Sequence, residues 1–318
     1  MNEALCPLLH ACCVPVLGQR RALICDTQRG VLVEVPGALL RLLEEHRGLS
    51  LGAIGAASGH PEAVTAAIRR LVDEDLAFLT AHPERFPALD RSWRSPAPLL
   101  RAILERDAGS RWSLEAALAE LAALRCRHVL IRTREPRPAV GAVMAAIGAR
   151  HPLTVDWQLL DTAEDPAALL ASWPKISSLV FHEADGVEAS ADGRARWTTA
   201  PLRLGAVAPA SLAGMAVNVE TVCEATHHHP FFNRMVTVSA DGRLRNGPST
   251  PQVFGRIGET AIAEVIASPA FRALWDAHRG RIEDCRGCAY RLVCTDGRAL
   301  SLGEDGVFRA ERGCALGG

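Results

Sequence analysis

The sequence contains little lysine, little tyrosine and no long apolar run. Only one of the 35 basic residues, Lys175, is a lysine, and there is a single tyrosine. With 36 acidic residues the formal net charge is −1, so no general attraction to nucleic acid or an anionic membrane follows. Charged residues or proline interrupt every stretch that approaches the roughly 20 apolar residues needed to span a bilayer. We therefore expect neither a membrane nor nucleic acid as a partner.

A secretory signal and a disulfide framework are also missing. The opening residues 1–7 lack a basic region followed by a sustained apolar region. Ten cysteines in 318 residues differ from the pattern of small secreted proteins, because a chain this long can bury a sufficient core without disulfides. We therefore expect a cytoplasmic protein with reduced cysteines, and the length predicts two or three domains.

The first 90 residues combine short strands with short helices. Two β-like runs at residues 22–25 and 31–35 flank a turn-like segment and predict a hairpin. Helical patterns follow between residues 36 and 75, and the apolar run at 76–80 predicts a closing strand. This order predicts an α/β protein whose N-terminal domain, residues 1–90, is a winged helix.

A winged helix ordinarily binds DNA, but the charges on its third helix do not favour that role here. Arg69 and Arg70 stand among four acidic residues, Glu62, Asp73, Glu74 and Asp75. The helix therefore lacks the basic surface that binds phosphates. A metal-dependent regulator that uses the winged helix on DNA is kept as an alternative.

Residues 91–222 are predicted to form a second, α/β domain. A linker at 82–98 leads into a helix that extends to about residue 125. Strands and helices then alternate, with strands at 129–131, 153–160 and 178–182, helices at 139–150 and 166–173, and weaker strands at 203–207 and 216–219. Such alternation is typical of parallel βαβ units, and the units are too few for an eight-unit barrel. A partial (βα) barrel-like sheet or a small open sheet is expected.

The last part of the chain, residues 223–318, contains the clearest motif. It begins with a hairpin and two helices, predicted at 234–244, 260–267 and 269–278. Beyond them lie four cysteines separated by 2, 5 and 19 residues, namely Cys285, Cys288, Cys294 and Cys314. Four thiolates at such spacings can bind either a zinc ion or an iron–sulfur cluster.

Three consecutive histidines, residues 227–229, follow Cys223. Imidazoles can supply a ligand that the cysteines lack, so His228 and His229 are candidates for additional metal ligands. Three adjacent histidines cannot all face one point, and a polar loop leading into the hairpin is the competing interpretation.

The tail resembles the SPASM domain, which carries auxiliary iron–sulfur clusters in many radical S-adenosylmethionine enzymes that modify peptides. The resemblance is closest to the grasp-with-spasm peptide maturases, which are encoded beside ATP-grasp peptide ligases. It rests on the cysteine motif and on segments 13–16, 21–26, 35–36, 121–126, 228–234, 241–242, 246–249, 254–257 and 269–275. The resemblance implies a SPASM-like Cys-rich domain with one iron–sulfur cluster or zinc ion, and a ribosomal precursor peptide and an ATP-grasp ligase as partners.

The chain departs from that family at its cysteines. Phe231, Gly247 and Gly297 stand where the family has cysteine, and none of them can bind iron. The three cysteines, spaced by three and then two residues, that hold the catalytic cluster of the radical enzymes are also absent. We therefore expect at most one metal centre, no S-adenosylmethionine cluster and no radical chemistry.

In enzymes that act on ribosomally made peptides, a winged-helix element often binds the leader of the precursor as an added β-strand. The resemblance implies such a groove between residues 21–35 and the helix at 61–75, with contacts from Ile24, Val31, Val33, Ile68 and Arg69. The sequence thus favours an accessory maturase that binds precursor peptide and assists an ATP-grasp ligase. The alternatives are a metalloenzyme that modifies the peptide itself and, for the winged helix, a surface for oligomerisation.

Overall fold

The computed structural model of the protein describes residues 2–135, 153–161 and 165–316. The helix predicted at 139–150 lies outside these ranges. Among the described helices, none combines the length and the apolar character that a bilayer crossing requires.

The N-terminal part contains two small sheets and three helices. Its elements are β1 (Cys6–Leu9), β2 (Cys13–Leu17), β3 (Ala22–Asp26), β4 (Val31–Val35), α1 (Gly37–Glu45), α2 (Leu51–Ser58), α3 (Pro61–Asp73) and β5 (Ala77–Thr80). Strands β2, β3 and β4 form an antiparallel sheet in that order, and β5 pairs with β1. The predicted hairpin, three helices and closing strand are confirmed.

Local sequence signals explain where these helices begin and end. The side chain of Ser50 accepts a hydrogen bond from the Ala53 amide and caps α2, and Gly59 ends that helix in the left-handed conformation. Pro61 occupies the first turn of α3, where its missing N–H costs nothing. Helix α3 then buries Val64, Ile68 and Leu71 against the sheet. One apolar core therefore holds the helices and the sheet together.

The centre of the molecule is an eight-stranded, mostly parallel sheet. Its elements are β6 (Arg101–Arg106), α4 (Leu114–Ala123), β7 (His128–Thr133), β8 (Thr154–Leu160), α5 (Pro166–Ser172), β9 (Ile176–His182), β10 (Glu188–Ala189), β11 (Ala195–Thr198), α6 (Val219–His227), β12 (Met235–Val238) and β13 (Leu244–Arg245). The strand order is β10-β11-β9-β8-β7-β6-β12-β13, with antiparallel pairing only at the two ends. In the described residues the outermost strands do not pair with each other, so the sheet is open. The predicted α/β class and the strands at 129–131, 153–160 and 178–182 are confirmed.

Three predictions for this region are wrong. The helix expected before residue 125 is two elements, because the buried residues from Ala102 to Glu105 belong to the central strand β6 before α4 begins. No strand forms at 203–207, where Gly205 has a positive φ and donates its amide to a side chain. No strand forms at 216–219 either, because Asn218 caps the start of α6.

The C-terminal part covers one end of the central sheet. It contains α7 (Ile262–Ala267), α8 (Pro269–Arg272), β14 (Leu300–Leu302) and β15 (Phe308–Ala310). Helices α4 and α7 pack on one face of the sheet, with Leu118 and Val265 in the same core as Trp157. The tail packs on the other face, where Cys285 shares a core with Ile103. Strands β12 and β13, C-terminal to the domain boundary predicted after residue 222, extend the same sheet.

Candidate functional site

A groove lies between the edge strand β4 and helix α3. In the described residues β4 pairs with β3 on one side and with no strand on the other, and Val31 at its start is 44% exposed. A cavity of about 300 Å³ lies at the end of this strand and is lined by Glu34, Val35, Pro36, Leu39, Ala66, Ala67, Arg70, Leu71 and Glu74. The groove thus joins an apolar floor to a free strand edge.

A second cavity continues the groove towards the β2–β3 turn. It has a volume of about 520 Å³ and shares Glu34, Val35 and Pro36 with the first. Three exposed arginines line it, Arg20, Arg21 and Arg41. Nη1 of Arg21 lies 3.5 Å from Oε2 of Glu34. One carboxylate therefore faces three guanidinium groups, and this end of the groove has an excess of positive charge. The combined groove is apolar beside α3 and basic beside α1.

The structure separates the five residues predicted to contact a peptide. Val31 and Val33 lie on the edge strand β4 but line neither cavity. Ile24 and Ile68 are completely buried in the core, so their side chains support the groove without reaching it. Arg69 is exposed on α3 but does not line either cavity, whereas its neighbour Arg70 does.

The four tail cysteines lie near one another at the edge of the C-terminal core. Cys285 and Cys294 are buried, and Cys288 and Cys314 are half-buried. Burial raises the pKa of the Cys288 thiol, and the neighbouring thiols of Cys285 and Cys314 raise it further. In the described residues no three of these sulfur atoms lie within 4.8 Å of one another, and neither His228 nor His229 completes such a group.

Two buried arginines direct their guanidinium groups at Cys285. Arg279 Nη1 lies 3.7 Å and Arg298 Nη2 lies 3.9 Å from its sulfur. Arg298 also pairs with Asp296 at 2.6 Å, but Arg279 has no carboxylate partner among the described residues. Arg279 is 2% exposed and donates its other hydrogen bonds to the carbonyls of Cys294 and Asp296. Because a buried cation is costly without a counter-charge, this arrangement favours negative charge at the cysteines.

Phe231, Gly247 and Gly297 come together in space. A Cβ atom at Gly297 would lie 2.5 Å from Cζ of Phe231, and one at Gly247 would lie 3.4 Å from its Cε1. The Phe231 ring also packs edge-on against Phe232. Phenylalanine therefore fills the space between the two glycines.

We expect Gly297→Ala to destabilise the protein by about 1–3 kcal/mol, because the added methyl group overpacks against Phe231. Urea unfolding gives the free energies. Gly186→Ala is the matched control, since nothing lies within 4 Å of a Cβ there. The double variant with Phe231→Leu should recover part of the loss, and strict additivity of the two changes would contradict this packing.

His228 and His229 are engaged elsewhere. His228 directly follows the last residue of α6, and its Nδ1 lies 3.2 Å from Oδ1 of Asp276. Because α6 ends at His227, the predicted polar loop begins only after that residue. His229 is 1% exposed, and its Nδ1 accepts hydrogen bonds from the amides of Phe231 and Phe232. Burial lowers the pKa of His229 well below its usual value. Its ring therefore stabilises the turn that places Phe231.

The neutral His229 predicts acid sensitivity. Its pKa is lower in the folded than in the unfolded protein, so stability is full above about pH 6.5 and falls as the unfolded chain takes up a proton. Between pH 7.5 and 5.5 the expected loss from this residue is about 1.4 kcal/mol. Urea unfolding of His229→Asn should show a correspondingly flatter pH dependence. Exposed His60→Asn serves as the control, and equal slopes for both variants would contradict this role.

An ion pair at the carboxyl ends of the central strands was not predicted from the sequence. Arg132 of β7 donates to Glu105 of β6 at 2.7 Å and to Gln158 of β8 at 3.1 Å. The segment 202–206 lies over them: Arg132 donates to the carbonyls of residues 203 and 206, and the Gly205 amide donates to Glu105 at 2.9 Å. The chain therefore covers part of the edge where open α/β sheets usually bind ligands.

A cleft of about 600 Å³ remains beside this segment. Its walls come from the ends of β6 and β12 and from the loops that follow them, including Glu105, Asp107, Ser239, Asp241, Arg245 and Thr250. Asp107 and Asp241 accept hydrogen bonds from their own loops.

No protein-family model matches the chain, and a search of curated proteins finds no match.

Proposed function

We propose that the protein is a cytoplasmic accessory maturase that binds a ribosomal precursor peptide and assists an ATP-grasp ligase. The observation that supports this most is the groove between β4 and α3. Its free strand edge offers main-chain hydrogen bonds to an extended peptide, and its apolar floor receives alternate side chains. On this proposal the N-terminal part is a winged-helix element that recognises the leader.

The charges of the groove indicate what kind of leader it binds. A peptide pairing with β4 would place apolar side chains beside Leu39 and Leu71. The adjoining cavity, with Arg20 and Arg41 on its walls, favours acidic residues at that end. The leader is therefore an extended apolar segment flanked by Asp or Glu.

The tail cysteines suit one metal centre, and we take it to be an iron–sulfur cluster because the tail resembles the SPASM domain. Four thiolates can also bind a zinc ion, which is the alternative. Cys285, Cys288, Cys294 and Cys314 would hold the cluster, with Arg279 and Arg298 offsetting its charge. Bound there, it would stabilise the tail.

The tail also contacts the peptide-binding part directly. The Gln19 amide, in the β2–β3 turn, donates to the Gly287 carbonyl at 2.8 Å. Arg291 donates to the Leu17 carbonyl at 2.7 Å. The turn that carries Cys285 and Cys288 therefore contacts and supports the β2–β3 turn beside the basic cavity.

Filling the groove should abolish peptide binding. We expect Ala66→Trp to weaken binding of the precursor peptide encoded beside this protein's gene at least tenfold, because the indole occupies the cavity at the end of β4. Fluorescence anisotropy with the labelled leader measures the affinity. Ala57→Trp is the matched control, since Ala57 is exposed on α2 and lines neither cavity.

Further outcomes separate the alternatives. Arg41→Glu should weaken binding of an acidic leader, and raised salt should reproduce part of that effect. Equal affinities of Ala66→Trp and Ala57→Trp would overturn the groove. Peptide turnover by the isolated chain would favour the metalloenzyme, and specific DNA binding would favour the regulator.

A further inference from the structure

A second set of sulfur and oxygen donors lies in the N-terminal part, outside the tail. The sulfurs of Cys12 and Cys13 and the carboxylate of Asp26 lie within 4.8 Å of one another, the one group of three among the described residues to do so. The sheet produces this cluster, because Cys13 at the start of β2 stands directly opposite Asp26 at the end of β3. Cys13 and Asp26 are buried, and Cys12 is half-buried.

Hydrogen bonds hold these donors in place. Asp26 Oδ1 accepts the amides of Gln28 and Arg29, each at 3.0 Å. The Cys12 carbonyl accepts both the amide and the hydroxyl of Thr27, each at 2.9 Å. Such outer contacts orient ligands at metal sites. The turn 26–29 therefore fixes the carboxylate and the backbone of the first cysteine.

The local charges suit a divalent cation. Two thiolates and one carboxylate carry three negative charges, so a bound divalent ion leaves a net charge of −1. Arg29 Nη1 lies 3.3 Å from Asp26 Oδ2 and offsets that remaining charge. The guanidinium also pairs with Asp75 at the end of α3, which holds it beside the cluster.

Three protein ligands leave one position at the ion. Zinc accepts thiolate and carboxylate ligands and takes four in all, so a water molecule would complete the set.

We propose that Cys12, Cys13 and Asp26 bind one zinc ion, with water as the fourth ligand. Binding replaces the two thiol protons, which pass to the solvent, and no oxidation or reduction takes place. This site is independent of the tail centre. It fastens the start of β2 to the end of β3, next to the turn that begins β4.

Cobalt(II) titration of the full-length, metal-free protein tests this assignment. We expect thiolate-to-cobalt charge-transfer absorption from this site, lost in Cys13→Ala and at least tenfold weaker in affinity in Asp26→Asn. The matched control is Cys25→Ala. Cys25 lies on β3 and is buried like Cys13, but it is not part of the cluster. Absorption from the tail should persist in all three and decrease in Cys285→Ser.

A second measurement uses the unaltered chain, so its result does not depend on whether the variants fold. Zinc should slow alkylation of Cys12 at least tenfold, and a chelator should reverse the protection. Equal cobalt binding by Cys13→Ala and Cys25→Ala, or unchanged alkylation of Cys12, would overturn the site. So would a Cys12–Cys13 disulfide found by mass spectrometry in freshly isolated protein.

Discussion

Arg132→Met is expected to destabilise the protein by about 3–5 kcal/mol, because it leaves a carboxylate buried without its cation. Glu105 is 1% exposed, and burial already raises its pKa despite the adjacent guanidinium. Arg132 also joins β7 to Gln158 on β8 and to two carbonyls of the segment 202–206. Its removal therefore loosens three strands and their cover together. Urea unfolding measures the change.

Two comparisons isolate the buried charge as the cause. The double variant Glu105→Leu/Arg132→Met should recover much of the loss, since a buried pair replaced by apolar groups is often close to neutral. Arg70→Met breaks an exposed pair with Glu74 and should have little effect. Hydrogen exchange at the Gly205 amide should accelerate in Arg132→Met. An effect of Arg132→Met no larger than that of Arg70→Met would show that Glu105 is satisfied by other groups.

The N-terminal part could be predicted because its signals are local. The turn at 26–30, the cap at Ser50 and the proline at Pro61 each act within a few residues. Strand β8 has a local pattern too, because Val155 and Trp157 are buried and Asp156 between them is only half-buried. Patterns of this kind show that one face of a helix or strand is buried, whichever element packs against that face.

The remaining features depend on residues far apart in the chain. Strand β6 is buried because β7 and β12 flank it, and the sequence pattern does not separate its short apolar run from the helix that follows. Glu105 and Arg132 meet only through the sheet register, and Asp26 meets Cys13 in the same way. The sequence shows the spacing of the tail cysteines, but it does not show that a guanidinium group is buried beside them. Arg279 gave no signal among the 34 arginines.

Cys285→Ser is expected to abolish the tail metal centre. Iron and sulfide reconstituted under anaerobic conditions should give a brown protein with visible absorption, and the serine variant should lose that absorption. The physical reason is that Arg279 and Arg298 both place a guanidinium nitrogen within 4 Å of the Cys285 sulfur, where they offset the negative charge of a thiolate ligand. Cys126→Ser should retain the absorption, because Cys126 is completely buried in the core of the central sheet.

The same centre should be needed for the stability of the tail. Without it, Arg279 is buried without the negative charge of the centre, so limited proteolysis should cut the residues after 278 much faster in Cys285→Ser than in Cys126→Ser. Arg279→Met should restore part of the resistance in Cys285→Ser, because it removes the uncompensated cation. Because Gln19 and Arg291 connect the cysteine turn to the β2–β3 turn, leader affinity should also fall in Cys285→Ser. A colourless protein with one bound zinc ion at the tail would contradict the cluster while leaving the peptide groove intact.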